Sequence, residues 1–237
     1  LRRALDRNEM ELHYQPIISM RDRTISGFEA LLRWRHRTRG AISPNEFIPL
    51  AEETGLIYEL GQWVLMQACE QIAIWNQNKN EEEQLEISIN LSSRQFSDPN
   101  LVEGIIGNIK ESGFNAECLK LEITESALMQ NAQRSVNMLN QLKNLNIKVC
   151  VDDFGTGYSS LSYLHTFPID TLKIDRSFVH DMSRNYRNME IIRTIIMLAH
   201  NLKLDVIAEG VETAEQYAQL SALGCQFAQG FYFARPV

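Results

Sequence analysis

At 237 residues, with 44% hydrophobic and 22% charged positions, the chain has the makeup of an ordinary soluble globular protein, long enough for one large domain or two small ones. Its formal charge of −7 disfavours sequence-independent binding to a DNA or RNA polymer, which depends on a cationic footprint, but leaves room for a small anionic ligand held by local cations. No apolar stretch reaches membrane-span length and the start Leu1-Arg2-Arg3-Ala4-Leu5 lacks a signal-peptide apolar core, so a cytoplasmic domain without membrane contact is expected. The parent protein can still be membrane-anchored through segments outside this piece.

Residues 1–8 read as a linker or a capping helix. Strand-like runs follow at 12–18 and 25–32, separated only by Met20 to Thr24. A parallel crossover needs roughly a dozen residues, so the first strand is expected to run antiparallel to the second. Ser43-Pro44-Asn45-Glu46 has the form of a capping box with Pro at N1, opening a helix toward Glu53 with Gly55 at its C-terminal end. A longer helix is expected over 57–77, then a solvated loop at Asn80-Glu81-Glu82-Glu83-Gln84.

Further apolar runs lie at 86–91, 118–123, 147–152, 170–174, 204–208 and 226–229, with helical spacing over 97–112, 133–145 and 187–202 between them. Thr213-Ala214-Glu215-Gln216 is a second capping box, before an apolar helix ending at Gly224. Strands alternating with helices predict a parallel sheet, and eight of them in this length predict an α/β fold, a (β/α)8 barrel with its first strand reversed. No helix follows the eighth run before Pro236-Val237, so a single barrel domain, 1–237, cut from a longer multidomain protein is expected. The four cysteines, Cys69, Cys118, Cys150 and Cys225, form no CxxC pair and read as reduced structural thiols.

Most strand-like runs carry a polar residue at or near their end: Glu29, Asn90, Glu122, Asp152, Lys173, Asp175 and Glu209. In a parallel barrel these ends share one face. Strand alternation separates Leu119, Leu121 and Ile123 from Lys120, Glu122 and Thr124, and Val149 and Val151 from Lys148, Cys150 and Asp152. Carboxylates converging in a partly buried site must be protonated, paired or bound to cations. An all-oxygen donor set selects hard ions, Mg²⁺, Mn²⁺ or Ca²⁺, and adjacent Asp152 and Asp153 suit a bridge between two of them. For any single acid a helix cap or an ion pair is an equally good reading; the joint pattern is what favours a site.

Glu29-Ala30-Leu31-Leu32-Arg33-Trp34 adds a recognisable string, and the rest of the chain agrees with it. In order come Gln15-Pro16-Ile17, Phe47-Ile48-Pro49-Leu50-Ala51-Glu52, Asn90-Leu91-Ser92, Glu122-Ile123-Thr124-Glu125, Asp152-Asp153-Phe154-Gly155-Thr156-Gly157, Lys173-Ile174-Asp175, Glu209-Gly210-Val211-Glu212 and Gln229-Gly230. Together these blocks closely resemble the EAL-domain cyclic di-GMP phosphodiesterases across essentially the whole chain. The resemblance implies hydrolysis of cyclic di-GMP to linear pGpG with two Mg²⁺ or Mn²⁺ ions, Ca²⁺ acting as an inhibitor. It implies metal ligands at Glu29, Asn90, Glu122, Asp152, Asp153 and Glu209, with Glu209 as ligand, general base or both. Lys173 would hold the attacking water or the developing charge.

By the same resemblance, Gln15 and Gln229 support substrate binding and Asp175 and Glu212 stand close behind the ligands. Arg33, on the strand face of Glu29, is placed to clamp a phosphate through its planar donors. The loop 153–159 resembles a lid coupling dimer contacts to the site, with Gly155 and Gly157 in it and Glu125 as its anchor; the plainer reading is a tight turn with Ser159 or Ser160 as N-cap. The resemblance also implies a homodimer and upstream sensory or GGDEF-type neighbours.

Beyond Arg33, the arginines at 35, 37 and 39 read as a solvated loop, and His180-Asp181 has no partner histidines at metal-binding spacing. Gln226 and the aromatic pair Phe231-Tyr232 depart from the family's usual pattern, which bears on local packing and base contacts. Two rivals stand beside catalysis. One is a silent receptor for the nucleotide, which intact ligand positions disfavour. The other is a Mg²⁺-dependent barrel enzyme abstracting a proton beside a carboxylate, which the paired aspartates fit less well.

Overall fold

The structure, a computed structural model, describes residues 1–157 and 164–237. β1 (Met10–Ser19) and β2 (Ile25–His36) form an antiparallel pair with Gln15 opposite Glu29. β2 then turns into β3 (Gly40–Ile42), which pairs antiparallel with it outside the barrel. The remaining strands are β4 (Glu86–Leu91), β5 (Leu119–Thr124), β6 (Lys148–Phe154), β7 (Thr171–Ile174), β8 (Asp205–Ala208) and β9 (Phe227–Ala228). The sheet order β1-β9-β8-β7-β6-β5-β4-β2, with β1 paired back to β2, closes eight strands into a barrel in which only β1 runs against its neighbours.

β3 was not foreseen, because three residues are too few to show a period. Its presence changes the reading of the arginines nearby. Arg35 meets Glu11 at 3.1 Å, Arg37 approaches Glu9 at 3.8 Å and Arg39 meets Glu46 at 2.8 Å, so they are paired charges on a hairpin rather than a free loop.

Helices cover the barrel: α1 (Pro44–Thr54), α2 (Ile57–Asn76), α3 (Ser93–Phe96), α4 (Leu101–Ser112), α5 (Glu125–Met129), α6 (Ala132–Lys143), α7 (Arg176–His180), α8 (Tyr186–Leu202) and α9 (Ala214–Ala222). The Thr213/Gln216 capping box is made in both directions. That expected at Ser43 is not: Ser43 stands at the N-cap without a side-chain bond, and its partner Glu46 is drawn to Arg39 instead. Pro44, with its φ preset for the helix, fixes that start. A capping box does form at Ser92, whose side chain and that of Gln95 bond reciprocally; it opens α3 ahead of the stretch expected to be helical over 97–112, which becomes helical only from Leu101, as α4. None of these helices is long and apolar enough to cross a membrane among the described residues.

Leu119, Leu121 and Ile123 are fully buried beneath the helices, each contributing about 1.5–3 kcal/mol of apolar burial. A second, smaller core gathers Ala4, Met10, Trp34, Ile42, Phe47 and Ala51 beside the barrel. Residues 1–8 are therefore neither linker nor regular helix. They fold as turns with Ala4 buried, and the Glu9 N–H donates to the Ala4 carbonyl at 2.9 Å.

Candidate active site

Lys173 organises the barrel mouth. Its neighbours Leu172 and Ile174 pack outward, so alternation turns the lysine into the lumen, where it is 0% exposed. An ammonium cannot be buried without partners, and here they come from four other elements. Nζ lies 2.5 Å from Glu122 of β5, 2.7 Å from Glu209 just past β8, 3.3 Å from Glu29 of β2 and 4.0 Å from Asp152 of β6. These carboxylates hold the lysine's pKa well above its ordinary value against the opposing effect of burial.

Amides fix the near wall. Asn90 Nδ2 donates to Glu29 Oε1 at 2.7 Å, and Gln229 Nε2 donates to Glu29 Oε2 at 2.7 Å and to Gln15 Oε1 at 2.9 Å. Gln15 Nε2 donates in turn to the Ala234 carbonyl at 3.0 Å. Burial pushes the Glu29 carboxyl up, but Lys173 and these amide donors outweigh it and hold the group below the ordinary range.

The opposite holds for Glu122. Burial, with Glu29 and Asp152 nearby, lifts its pKa to about 8 against the pull of a lysine shared with three other acids. Burial lifts Glu209 to about 7, again against Lys173. Asp153 rises to about 6 through burial and the negative charges of Asp152 and Asp175.

Two consecutive aspartates cannot both face one side of a regular strand. The β6 backbone resolves this with a register shift: Val151 pairs with Leu172, but Phe154 pairs with Ile174. Within the shift Asp153 takes φ +53°, and its N–H donates to Asp152 Oδ1 at 2.9 Å. An L-residue in this left-handed region is strained, and aspartate is among those that tolerate it best.

Asp175 has a structural duty as the N-cap of α7, accepting from the Ser177 N–H at 3.0 Å, and it also bears on Asp153. Glu125 is buried, and its Oε2 accepts from the Gly155 N–H at 3.1 Å; a Cβ on Gly157 would lie 3.7 Å from the same oxygen. Ser159 and Ser160 lie outside the described residues. Arg33 sits half-buried on the face of Glu29 with no ion pair among the described residues, its Nη1 donating to the Leu32 carbonyl at 3.0 Å. Glu212 is not joined to the cluster: its side chain is exposed, and its backbone N–H donates to Gln216 Oε1 at 2.7 Å.

The donor set suits hard divalent cations. With all five carboxylates, Glu29, Glu122, Asp152, Asp153 and Glu209, ionised against one ammonium, the site would carry four negative charges, the number two such ions would balance. Glu122 Oε1 and Gln229 Oε1 are buried without a hydrogen-bond partner among the described residues, as acceptors awaiting a cation or donor would be. Among the described residues no three acids, histidines or cysteines are gathered closely enough to hold an ion as they stand; the Lys173 ammonium occupies the point where they converge.

Comparison with known proteins matches residues 1–236 to the family described as EAL domain. The chain belongs to the EAL domain family. It is 42% identical over 237 residues, 100% of this chain and 30% of the relative, to the cyclic di-GMP phosphodiesterase NbdA of Pseudomonas aeruginosa. It is 41% identical over 237 residues, all of this chain and 34% of the relative, to the bifunctional diguanylate cyclase/cyclic di-GMP phosphodiesterase MucR of the same organism. The EAL chain thus spans about a third of the length of these curated relatives. Among solved structures it superposes on a MucR phosphodiesterase–cyclic di-GMP complex with a TM-score of 0.96 at 41% identity, covering 100% of this chain and 95% of that one. The FimX EAL domain of P. aeruginosa bound to cyclic di-GMP gives 0.88 at 27% identity, covering 99% and 93%.

Proposed function

We propose that this EAL domain is a divalent-metal-dependent phosphodiesterase that hydrolyses cyclic di-GMP to linear pGpG. The observation that carries the reading is the fully buried Lys173 ringed by acids from four other elements with a large excess of negative charge. Relatives named as cyclic di-GMP phosphodiesterases, and a similar structure holding that nucleotide, supply the substrate.

Glu29, Asn90, Glu122, Asp152, Asp153 and Glu209 would hold two ions, Mg²⁺ or Mn²⁺. When bound, such ions lower the pKa of water near neutrality and stabilise charge on phosphate and leaving group. The amides of Asn90 and Gln229 keep Glu29 ionised and fixed in orientation. Glu209, whose carboxylate reaches the mouth 2.7 Å from Lys173, would accept the proton of the attacking water. Lys173 places a permanent positive charge beside the reacting phosphate, and Arg33 offers a planar fork to it.

We also propose that the domain works as a homodimer within a larger signalling protein. A largely apolar groove of about 530 Å³ runs between Phe154 and Gly155 and the outer face of α8, where Met197 is 58% exposed. A second copy seated there would contact Gly155, whose N–H is held by Glu125.

The test is to incubate the purified domain with cyclic di-GMP and Mg²⁺ or Mn²⁺, with and without chelator, and to follow pGpG. Chelator-sensitive pGpG formation is the expected result. Tight binding without turnover at every metal and protein concentration would identify a receptor instead.

A further inference from the structure

The chain after β9 forms a strap along the mouth. Gln229, which holds Glu29, begins it; Gln15 bonds the Ala234 carbonyl at 3.0 Å; and Val237 pairs with Tyr14 through backbone bonds of 2.7 and 3.2 Å. The strap is anchored by Tyr232, which stacks on Tyr217 with ring centroids 5.9 Å apart. Between these fixed points Arg235 lies with its guanidinium 4.3 Å above the centre of the Phe231 ring, a ring that is 50% exposed.

The two arginines that lie over rings in this region differ in one respect. Arg23, over Tyr217, also donates through Nε to the tyrosine hydroxyl at 3.1 Å. Arg235 lies over a phenylalanine, which offers its face and nothing else, and among the described residues it makes no hydrogen bond or ion pair. The stack therefore orients the guanidinium plane while leaving its whole donor fork free, one residue beyond the Ala234 carbonyl that Gln15 holds.

We propose that Arg235 reads the Hoogsteen edge of one guanine of the substrate, with Phe231 as the positioning residue that holds the guanidinium plane. This rests on the phosphodiesterase reading above and adds the determinant of its base preference. A guanidinium fork fits the O6 and N7 acceptors of guanine, whereas adenine presents an N6 amino donor where guanine has O6 and repels half of the fork. Phosphate also accepts a fork, but among the described residues Arg235 makes no ion pair with the acids that would hold the metal ions, four of which converge on Lys173 instead. Arg33 on β2 already lies beside Glu29 for the phosphate.

The experiment compares wild type with Arg235→Ala, Arg235→Lys, Phe231→Ala and Phe231→Tyr, using cyclic di-GMP and cyclic di-AMP. It measures KM and kcat by initial rates and Kd by calorimetry on the metal-loaded domain, with thermal melts to confirm folding. Both Arg235 variants are expected to weaken cyclic di-GMP binding about tenfold, mostly in KM, and to change cyclic di-AMP by less than about twofold. Phe231→Ala should give a smaller loss of the same selectivity and Phe231→Tyr should restore it. An equal loss for both dinucleotides, with Arg235→Lys rescuing it, would make Arg235 a phosphate contact and overturn the proposal. No change in either would overturn it as well. Wild-type hydrolysis with no Arg235 effect sinks only this inference, whereas binding without hydrolysis in wild type sinks the phosphodiesterase reading and leaves the Kd comparison to decide the base contact.

Discussion

The barrel holds two ionic clusters, one at each end, built to opposite rules. At the mouth one lysine, Lys173, is shared by Glu29, Glu122, Asp152 and Glu209. At the base one carboxylate, Glu86, is shared by two lysines: Lys120 Nζ lies 2.8 Å from it, and Lys148 forms a short bond to its other oxygen. The basal acid is held below its ordinary pKa, because Lys120 and Lys148 together outweigh burial. Two of the mouth acids are pushed to about 7 and about 8. The base is a satisfied ion network that suits stability; the mouth is unsatisfied, and its surplus charge is what a cationic ligand would relieve.

The contrast breaks most sharply on removal of one acid from each end. Glu29→Ala should reduce turnover on the order of 10³-fold, the scale of losing one element of a preorganised electrostatic site, with little loss of fold. Initial-rate assays beside a thermal melt check this, and retained activity would remove Glu29 from the site. Glu86→Ala should do the reverse. Lys120, nearly buried, would lose the carboxylate it is paired with, at a cost of about 3 kcal/mol seen in urea unfolding, while the folded fraction keeps its turnover.

A milder change sharpens the comparison. Glu209→Gln should abolish turnover yet leave metal-free stability equal or higher by about 1 kcal/mol, since it removes one of several mutually repelling charges. A clear loss of stability in the melt would show that the mouth is a stabilising network after all.

The smallest effect is in the pH profile of the metal-free protein. A carboxyl raised in the fold binds a proton that the unfolded chain has released, so it stabilises below the ordinary value of 4.5 and that stability is lost as pH rises through about 7. Glu86, depressed in the fold, acts in the other sense: its contribution is present above 4.5 and is lost as pH falls below it. Melts from pH 3 to 8 should therefore show stability declining at both ends. In Glu209→Gln the decline toward neutral pH should shrink, and in Glu86→Gln the acid limb should shrink; unchanged limbs would sink these assignments.

Much of the mouth was legible in sequence, and the reason is geometric. Period-two alternation assigns Glu122 and Lys173 to one face of their strands and Leu121 and Leu172 to the other, and closure then brings the inward set together. Alternation says nothing about depth along the barrel axis. Lys120 shares the face of Glu122, yet stands two residues earlier on its strand and pairs with Glu86 at the far end, which only strand register reveals. The short elements β3, α5 and α7 escaped because a period cannot be read from three to five residues. The Ser92 capping box was there to be read, since Ser92-Ser93-Arg94-Gln95 has the required spacing. The Ser43 box misled because a nearby arginine competed for its glutamate.

The register shift in β6 has a consequence for how such a site tolerates change. It is a phase slip: before it, even-numbered positions face the lumen, and after it Phe154 joins the outward-packing rank of Ile174. Two adjacent codons thereby serve a single pocket, with no rearrangement of the packing on either side. Deleting one residue between Val151 and Phe154 would restore a regular strand and preserve every outward contact, while leaving one aspartate where there had been two. A one-residue length difference at this point would thus separate domains that have lost part of the ligand set from those that retain it, even where their cores are indistinguishable.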